Sequence, residues 1–185
     1  MRLRKKPKAL GTLEENQHLI IFKPEEKKGY KYPNKNFIGV DSKYEVIYMA
    51  LKRALEKGTN NLAFLPFNIE NIEQAFDKNE VDCLFINFCD PWPKSKHAKR
   101  SLTNIRFLEK YKLFLKDGAQ IIFKTDNRPL FDYSIDEFKA ADLEITDITY
   151  DLAAENDPEN IPTEYETKFM ERGVKINRLK AIYRV

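Results

Sequence analysis

All six glycines of this 185-residue chain are isolated from one another. The chain therefore lacks the glycine-rich strand-to-helix turn through which backbone commonly approaches a bound cofactor, a turn only glycine leaves room for. Cysteine is equally sparse. Cys83 and Cys89 lie in or beside one apolar strand without metal-type spacing, and only His18 and His97 could join them. They read as small core residues of a reducing compartment, and no metal centre is expected. No stretch is long and apolar enough to cross a membrane. Thr12-Leu13-Glu14-Glu15-Asn16 stands where a signal peptide would need its apolar core, so a cytoplasmic protein is the default. Internal repeats and low-complexity linkers are absent as well.

The formal charge of +3 is too small to imply nucleic acid by itself. Its distribution says more. Arg2, Arg4, Lys5, Lys6 and Lys8 crowd the N-terminus, and a second cationic group follows Trp92. Acids gather later, at Asp151, Glu155, Asp157, Glu159, Glu164 and Glu166. The length suits one domain with a real core. Residues 1–35 read as a basic, turn-rich segment leading into it, with one helical candidate from Thr12 to about Phe22. Nothing in the sequence chooses between a monomer and a homodimer.

From residue 36 to 185 the pattern is regular. Asn36 to Val40 predicts a strand ending at Asp41, and Tyr44, Ile47, Tyr48, Leu51 and Leu55 then recur at helical spacing up to Gly58. Leu62 to Phe67 is a second strand, followed by a short helix with Ile72, Ala75 and Phe76. Val81 to Phe88 barely alternates, which marks a central strand. A helix from Leu102 to Leu115, ended by Gly118, precedes a strand from Ala119 to Lys124. Leu130 to Ala140 is helical, Leu143 to Tyr150 extended, Thr163 opens a helix, and Ile176 to Tyr183 is the last strand. Alternating elements of this kind predict an α/β fold with a mostly parallel sheet and helices on both faces. The last two strands lack a full helical crossover, which predicts an antiparallel C-terminal edge.

The chemistry concentrates where the central strand ends, at Ile86-Asn87-Phe88-Cys89-Asp90-Pro91-Trp92-Pro93-Lys94. Open α/β sheets place their reactions at such strand ends. Two prolines stop the strand beyond Asp90. Trp92 offers a flat face on which a nucleobase could stack. Lys94, Lys96, His97, Lys99 and Arg100 add cations suited to phosphate. Each feature has a plainer explanation. Asp90 could serve only as a turn carboxylate before Pro91, and the cations could form a solvated helix entrance. Cations at a helix N-terminus are poorly placed, however, which favours service to a partner.

Asn87 to Lys94, with His97, Lys99 and Arg100, resembles the tRNA (guanine-N7-)-methyltransferase family, whose pattern there is roughly N-F-x-D-P-W-P-K before a basic run. Phe123-Lys124-Thr125-Asp126-Asn127, Leu130-Phe131-x-Tyr133-Ser134, and Thr163-Glu164-Tyr165-Glu166 with Lys168-Phe169 and Gly173 match in order. The opening Arg2-x-Arg4-x-Lys6-Pro7 is similar too. The resemblance implies a Rossmann-like class I methyltransferase fold and methylation of guanine N7 in the variable loop of tRNA. It implies S-adenosyl-L-methionine as methyl donor and tRNA as partner, with no membrane and no metal. Asp90 would be catalytic and touch the cofactor. Asp41 would bond the cofactor ribose, and Asn68 (or Glu70 if the register shifts) the adenine. Lys94, Asp126, Thr163, Glu164, Tyr165 and Glu166 would bind substrate, and Lys96, His97, Lys99 and Arg100 the RNA. Asp41, Asp90 and Asp126 should then share one cavity. Plainer roles compete here also: Asp41 as a helix N-cap, Asp126 as an Asp-Asn turn, and Thr163 with Glu166 as a capping box.

The chain departs from the resemblance at one place. The family's first strand and its glycine-rich cofactor turn have no counterpart between about residues 30 and 36, where relatives hold roughly twenty residues more. Either a segment is missing from the sequence there, or the deletion is genuine. In the second case the alternative is a non-catalytic RNA-binding relative without the cofactor turn.

Overall fold

A computed structural model describes residues 17–22, 32, 34–56, 58, 61–92 and 95–185. Uninterrupted apolar runs build its centre. Strands β1 (Gln17–Phe22), β2 (Lys35–Asp41), β3 (Leu62–Pro66), β4 (Val81–Asn87) and β5 (Leu115–Thr125) are joined in parallel. Strands β6 (Glu144–Thr149) and β7 (Asn177–Ile182) complete a seven-stranded sheet of order β3-β2-β1-β4-β5-β7-β6. β7 pairs antiparallel with both β5 and β6, so the reversed strand lies inside the sheet rather than at its edge. Strand order reverses between β1 and β4, and parallel sheets open a crevice beyond the carboxyl ends at such a switch.

Among the described residues four α-helices connect these strands: α1 (Tyr44–Glu56), α2 (Ile105–Lys112), α3 (Arg128–Ala140) and α4 (Glu164–Met170). The main core lies where Phe107, Leu108 and Tyr111 of α2 and Phe131, Ile135 and Phe138 of α3 cover Leu84, Ile86, Ile121, Phe123 and Leu179 of the sheet. A smaller cluster around Phe37 and Cys83 includes Leu62, Phe85 and Ile122. Side-chain oxygens cap three helix starts: Asn104 accepts from Arg106 N, Asn127 from Leu130 N, and Thr163 from Glu166 N.

Several sequence expectations are corrected. The helix expected over Thr12–Phe22 is strand β1 from Gln17, because Leu19-Ile20-Ile21-Phe22 is a continuous apolar run suited to a parallel centre. That strand lies between β2 and β4, the place of the first strand expected to be absent. The glycine-poor stretch 23–31 is outside the described residues. Tyr32 is joined to β2 by a turn in which its carbonyl accepts from Lys35 N at 3.1 Å. α1 buries Ile47, Ala50 and Ala54, whereas Tyr44, Tyr48 and Leu55 are exposed. α2 begins at Ile105, not Leu102, and Leu115 and Gly118 belong to β5. Gly118 has φ +77 at an irregularity where β5 advances five positions, from Leu115 to Gln120, while β4 advances two, from Val81 to Cys83. That is a bulge, not a helix stop.

Candidate active site

The carboxyl ends of β2, β3 and β4 open into a cavity of about 570 Å³, within the range of small-molecule sites. Val40 and Asp41 come from the end of β2, Phe67 and Ile69 from beyond β3, and Asn87, Cys89 and Asp90 from the end of β4. Trp92, Arg100 and Leu102 close one side, and Glu164 and Tyr165 of α4 another. Asp41 also accepts from Lys43 N at 2.8 Å, so the cap-like role and a place on the cavity wall coexist. Asp90 is exposed and has no hydrogen-bond or ion-pair partner among the described residues.

The turn after β4 is held in an uncommon conformation. Phe88 has φ +49, the left-handed region that a bulky residue seldom enters. Its N–H donates to the Lys124 carbonyl at 2.8 Å. Its ring lies 6.0 Å from Tyr165 and 6.4 Å from Phe169, both stacked. The backbone reversal that leads from β4 to Asp90 is thus fastened to α4. Across the mouth, Arg53 of α1 pairs with Glu164 at 2.7 Å.

α4 itself is fixed from below. Thr163 and Glu166 form a reciprocal capping box, and both side chains are buried. Glu166 Oε2 accepts from Lys124 Nζ at 3.0 Å, and Oε1 from Asn160 Nδ2 at 2.6 Å. Lys124 Nζ also donates to Asn160 Oδ1. The loop before α4 is tied to β7 by Arg178, whose guanidinium donates to Asp157 at 2.6 Å and to Glu155 at 3.0 Å. Burial raises the Asp157 pKa, but the Glu159 N–H and Arg178 outweigh it and leave the carboxyl below its ordinary value.

The cationic strip occupies a 3₁₀ turn, Ser95–Arg100. Lys96, Lys99 and Arg100 are exposed and His97 half-buried. The Arg100 guanidinium lies 5.1 Å from the Trp92 ring, and the His97 ring 6.1 Å from it. Because α2 starts at Ile105 with Asn104 as cap, these cations are outside its first turn. The helix-dipole argument for a partner therefore loses its force, and their exposure remains. Lys94 lies outside the described residues.

The cavity thus brings Asp41, Asp90, Glu164 and Tyr165 together, but not every expected residue. Asp126 follows β5 at the same end of the sheet yet does not line the cavity, so the three carboxylates do not share one wall. Asn68 is exposed and caps the 3₁₀ turn Ile69–Gln74 by accepting from Glu70 N at 3.0 Å. Glu70 pairs with Arg106. Thr163 and Glu166 act on the cavity only through α4. Among the polar and charged cavity residues, Ser42, Lys43, Arg53 and Asn87 were not foreseen as site residues. Arg53 carries no sequence signal, whereas a lone amide in the run Phe85-Ile86-Asn87-Phe88 does.

No group of three or more metal-ligating side chains occurs among the described residues, and no helix there is long and apolar enough to span a membrane. The sheet order and its end-on cavity are those of the methyltransferase fold. The solved structure of "an Antibiotic Related Methyltransferase" is similar with a TM-score of 0.68 at 17% identity, covering 98% of this chain and 94% of that one. The family model described as "Putative methyltransferase" matches residues 27–179. The tRNA (guanine-N(7)-)-methyltransferase of Clostridium acetobutylicum is 46% identical over 151 residues, 82% of this chain and 72% of that protein. That of Clostridium botulinum is 47% identical over 152 residues, 79% of this chain and 70% of that protein. The chain belongs to the tRNA (guanine-N(7)-)-methyltransferase family.

Proposed function

We propose that this chain methylates N7 of a guanosine in the variable loop of tRNA, with S-adenosyl-L-methionine as methyl donor. The observation that carries the reading is the pairing of Asp41 and Asp90 across one cavity at the switch point of the sheet. A cytoplasmic location goes with that substrate.

The residues present fit the donor on the β2–β4 side of the cavity. Asp41, at the end of β2, suits the ribose hydroxyls, which a strand-end carboxylate can accept from. Asn68 is outside the cavity wall but lies between two residues of it, Phe67 and Ile69; its Oδ1 uses one lone pair on Glu70 N and keeps a second for the adenine amino group. When bound, the sulfonium supplies an electrophilic methyl group. Guanine N7 carries a lone pair and no proton, so no base has to deprotonate that atom. What the protein contributes is position and charge.

Asp90 does most of this work. Positive charge grows on the purine as the N7–C bond forms, and the Asp90 carboxylate offsets that charge. It also accepts from the amino or imino edge of the guanine and so holds the ring. Trp92 offers its indole face for stacking. Glu164 and Tyr165 line the far wall, with Thr163 and Glu166 beneath them holding α4. Asp126 and Lys94 serve the rest of the target nucleotide, and Lys96, His97, Lys99 and Arg100 follow the RNA phosphates.

The test is nucleoside mass spectrometry of unmodified tRNA incubated with the methyl donor and either the parent or Asp90→Ala. The parent produces 7-methylguanosine, and the variant is slower by about 10²–10³-fold, the usual loss when one transition-state stabiliser is removed. Undiminished methylation by the variant removes Asp90 from the mechanism. A parent that neither methylates tRNA nor binds S-adenosylhomocysteine leaves an RNA-binding protein only.

A further inference from the structure

Asn87 ends β4 and lines the cavity, yet it is 2% exposed and neither polar atom of its side chain has a hydrogen-bond partner among the described residues. A buried amide left in this state is destabilising, because it has given up water and received nothing in return. Leucine has nearly the same shape and would carry no such penalty. Beside it, Phe88 holds its left-handed backbone, so two unfavourable features stand at adjacent residues at the mouth of one strand. Such clustering marks groups kept for a ligand.

We infer that the Asn87 carboxamide grips the target guanine, Nδ2–H donating to O6 and Oδ1 accepting from N1–H. The inference rests on the methyl-transfer reading above and adds a base-recognition residue to it. Position selects the base over the cofactor. The proposed ribose and adenine contacts come from the ends of β2 and β3, and β1 separates β2 from β4. Asn87 is on the strand that carries Asp90, three residues before it. With O6 and N1–H taken by Asn87, the exocyclic amino group is left to Asp90, and N7 stays free on another edge of the ring. A carboxamide can turn over to suit adenine as well. The carboxylate cannot, since it only accepts, and adenine has no amino group at that position.

The experiment uses the full chain and Asn87→Leu, with three readouts: thermal melting, calorimetry with S-adenosylhomocysteine, and kcat and KM on unmodified tRNA. The variant is expected to melt at the same or a higher temperature and to bind S-adenosylhomocysteine as the parent does. Its kcat/KM on tRNA falls about ten-fold or more, the scale of one bidentate base contact. A leucine variant that melts lower or fails to fold shows an amide serving the scaffold, and overturns the inference. Weakened S-adenosylhomocysteine binding assigns the amide to the cofactor and overturns it too, as does a kcat/KM equal to the parent's. A parent that transfers no methyl to tRNA sinks the functional reading itself, a different result from any of these.

Discussion

Replacing Glu166 by alanine should be among the most damaging single changes to the scaffold beneath the site. Lys124 and Glu166 are 4% and 0% exposed at their side chains, and their 3.0 Å contact joins β5 to α4. The truncation takes the counter-charge from a buried ammonium, an acceptor from Asn160 and the reciprocal half of the Thr163 cap. Breaking a buried pair from one side costs about 3–5 kcal/mol. In a domain of this size each kcal/mol lowers Tm by roughly 2–4 °C, so a fall of roughly 6–20 °C is expected. Circular dichroism melting measures it. The double variant Lys124→Met with Glu166→Leu leaves no charge to desolvate and should recover most of the loss. The reasoning fails if Glu166→Ala melts with the parent, or if the double variant melts no higher than the single one.

Two further outcomes follow from the same geometry. Neutralising Lys96, Lys99 and Arg100 together should weaken tRNA binding and flatten its salt dependence, by roughly 0.9 in the log–log slope for each phosphate no longer neutralised. A salt slope equal to the parent's makes the strip a plain solvated surface. Asp157 has its folded pKa below the ordinary 3.8, so its bond to Arg178 adds stability above that pH and loses it as pH falls through the lowered value. Asp157→Asn should therefore melt below the parent at neutral pH, and the gap should close in acid below about pH 4. A gap that widens in acid reverses the assigned sign.

Most strands were legible, and β4, with the apolar run Cys83-Leu84-Phe85-Ile86, is the clearest case. Helix α1 was legible in extent but not in orientation. Large Tyr44, Tyr48, Leu51 and Leu55 dominate its pattern, while the buried stripe of Ile47, Ala50 and Ala54 depends on two small residues that weigh little in any hydrophobic count. β1 reads as a helix because its four-residue apolar run follows a polar stretch with helix-forming residues, and only pairing with β2 and β4 makes it a strand. At the site, Asp41 and Asp90 were legible as strand-end carboxylates. The exclusion of Asp126 from the cavity was not, since it depends on how the chain turns after β5 into α3. Thr163 and Glu166 show the limit of motif reading. Their capping box is what the structure forms, and the burial that turns them from the cavity is set by Lys124, distant in sequence.

Placing the donor in the end-on cavity is the step from which the rest follows. A crystal structure of the protein with S-adenosylhomocysteine tests it most directly. The account predicts the ribose against Asp41 and the sulfur turned toward the Asp90 side of the same cavity. Density for the ligand on any other surface, with this cavity empty, contradicts it.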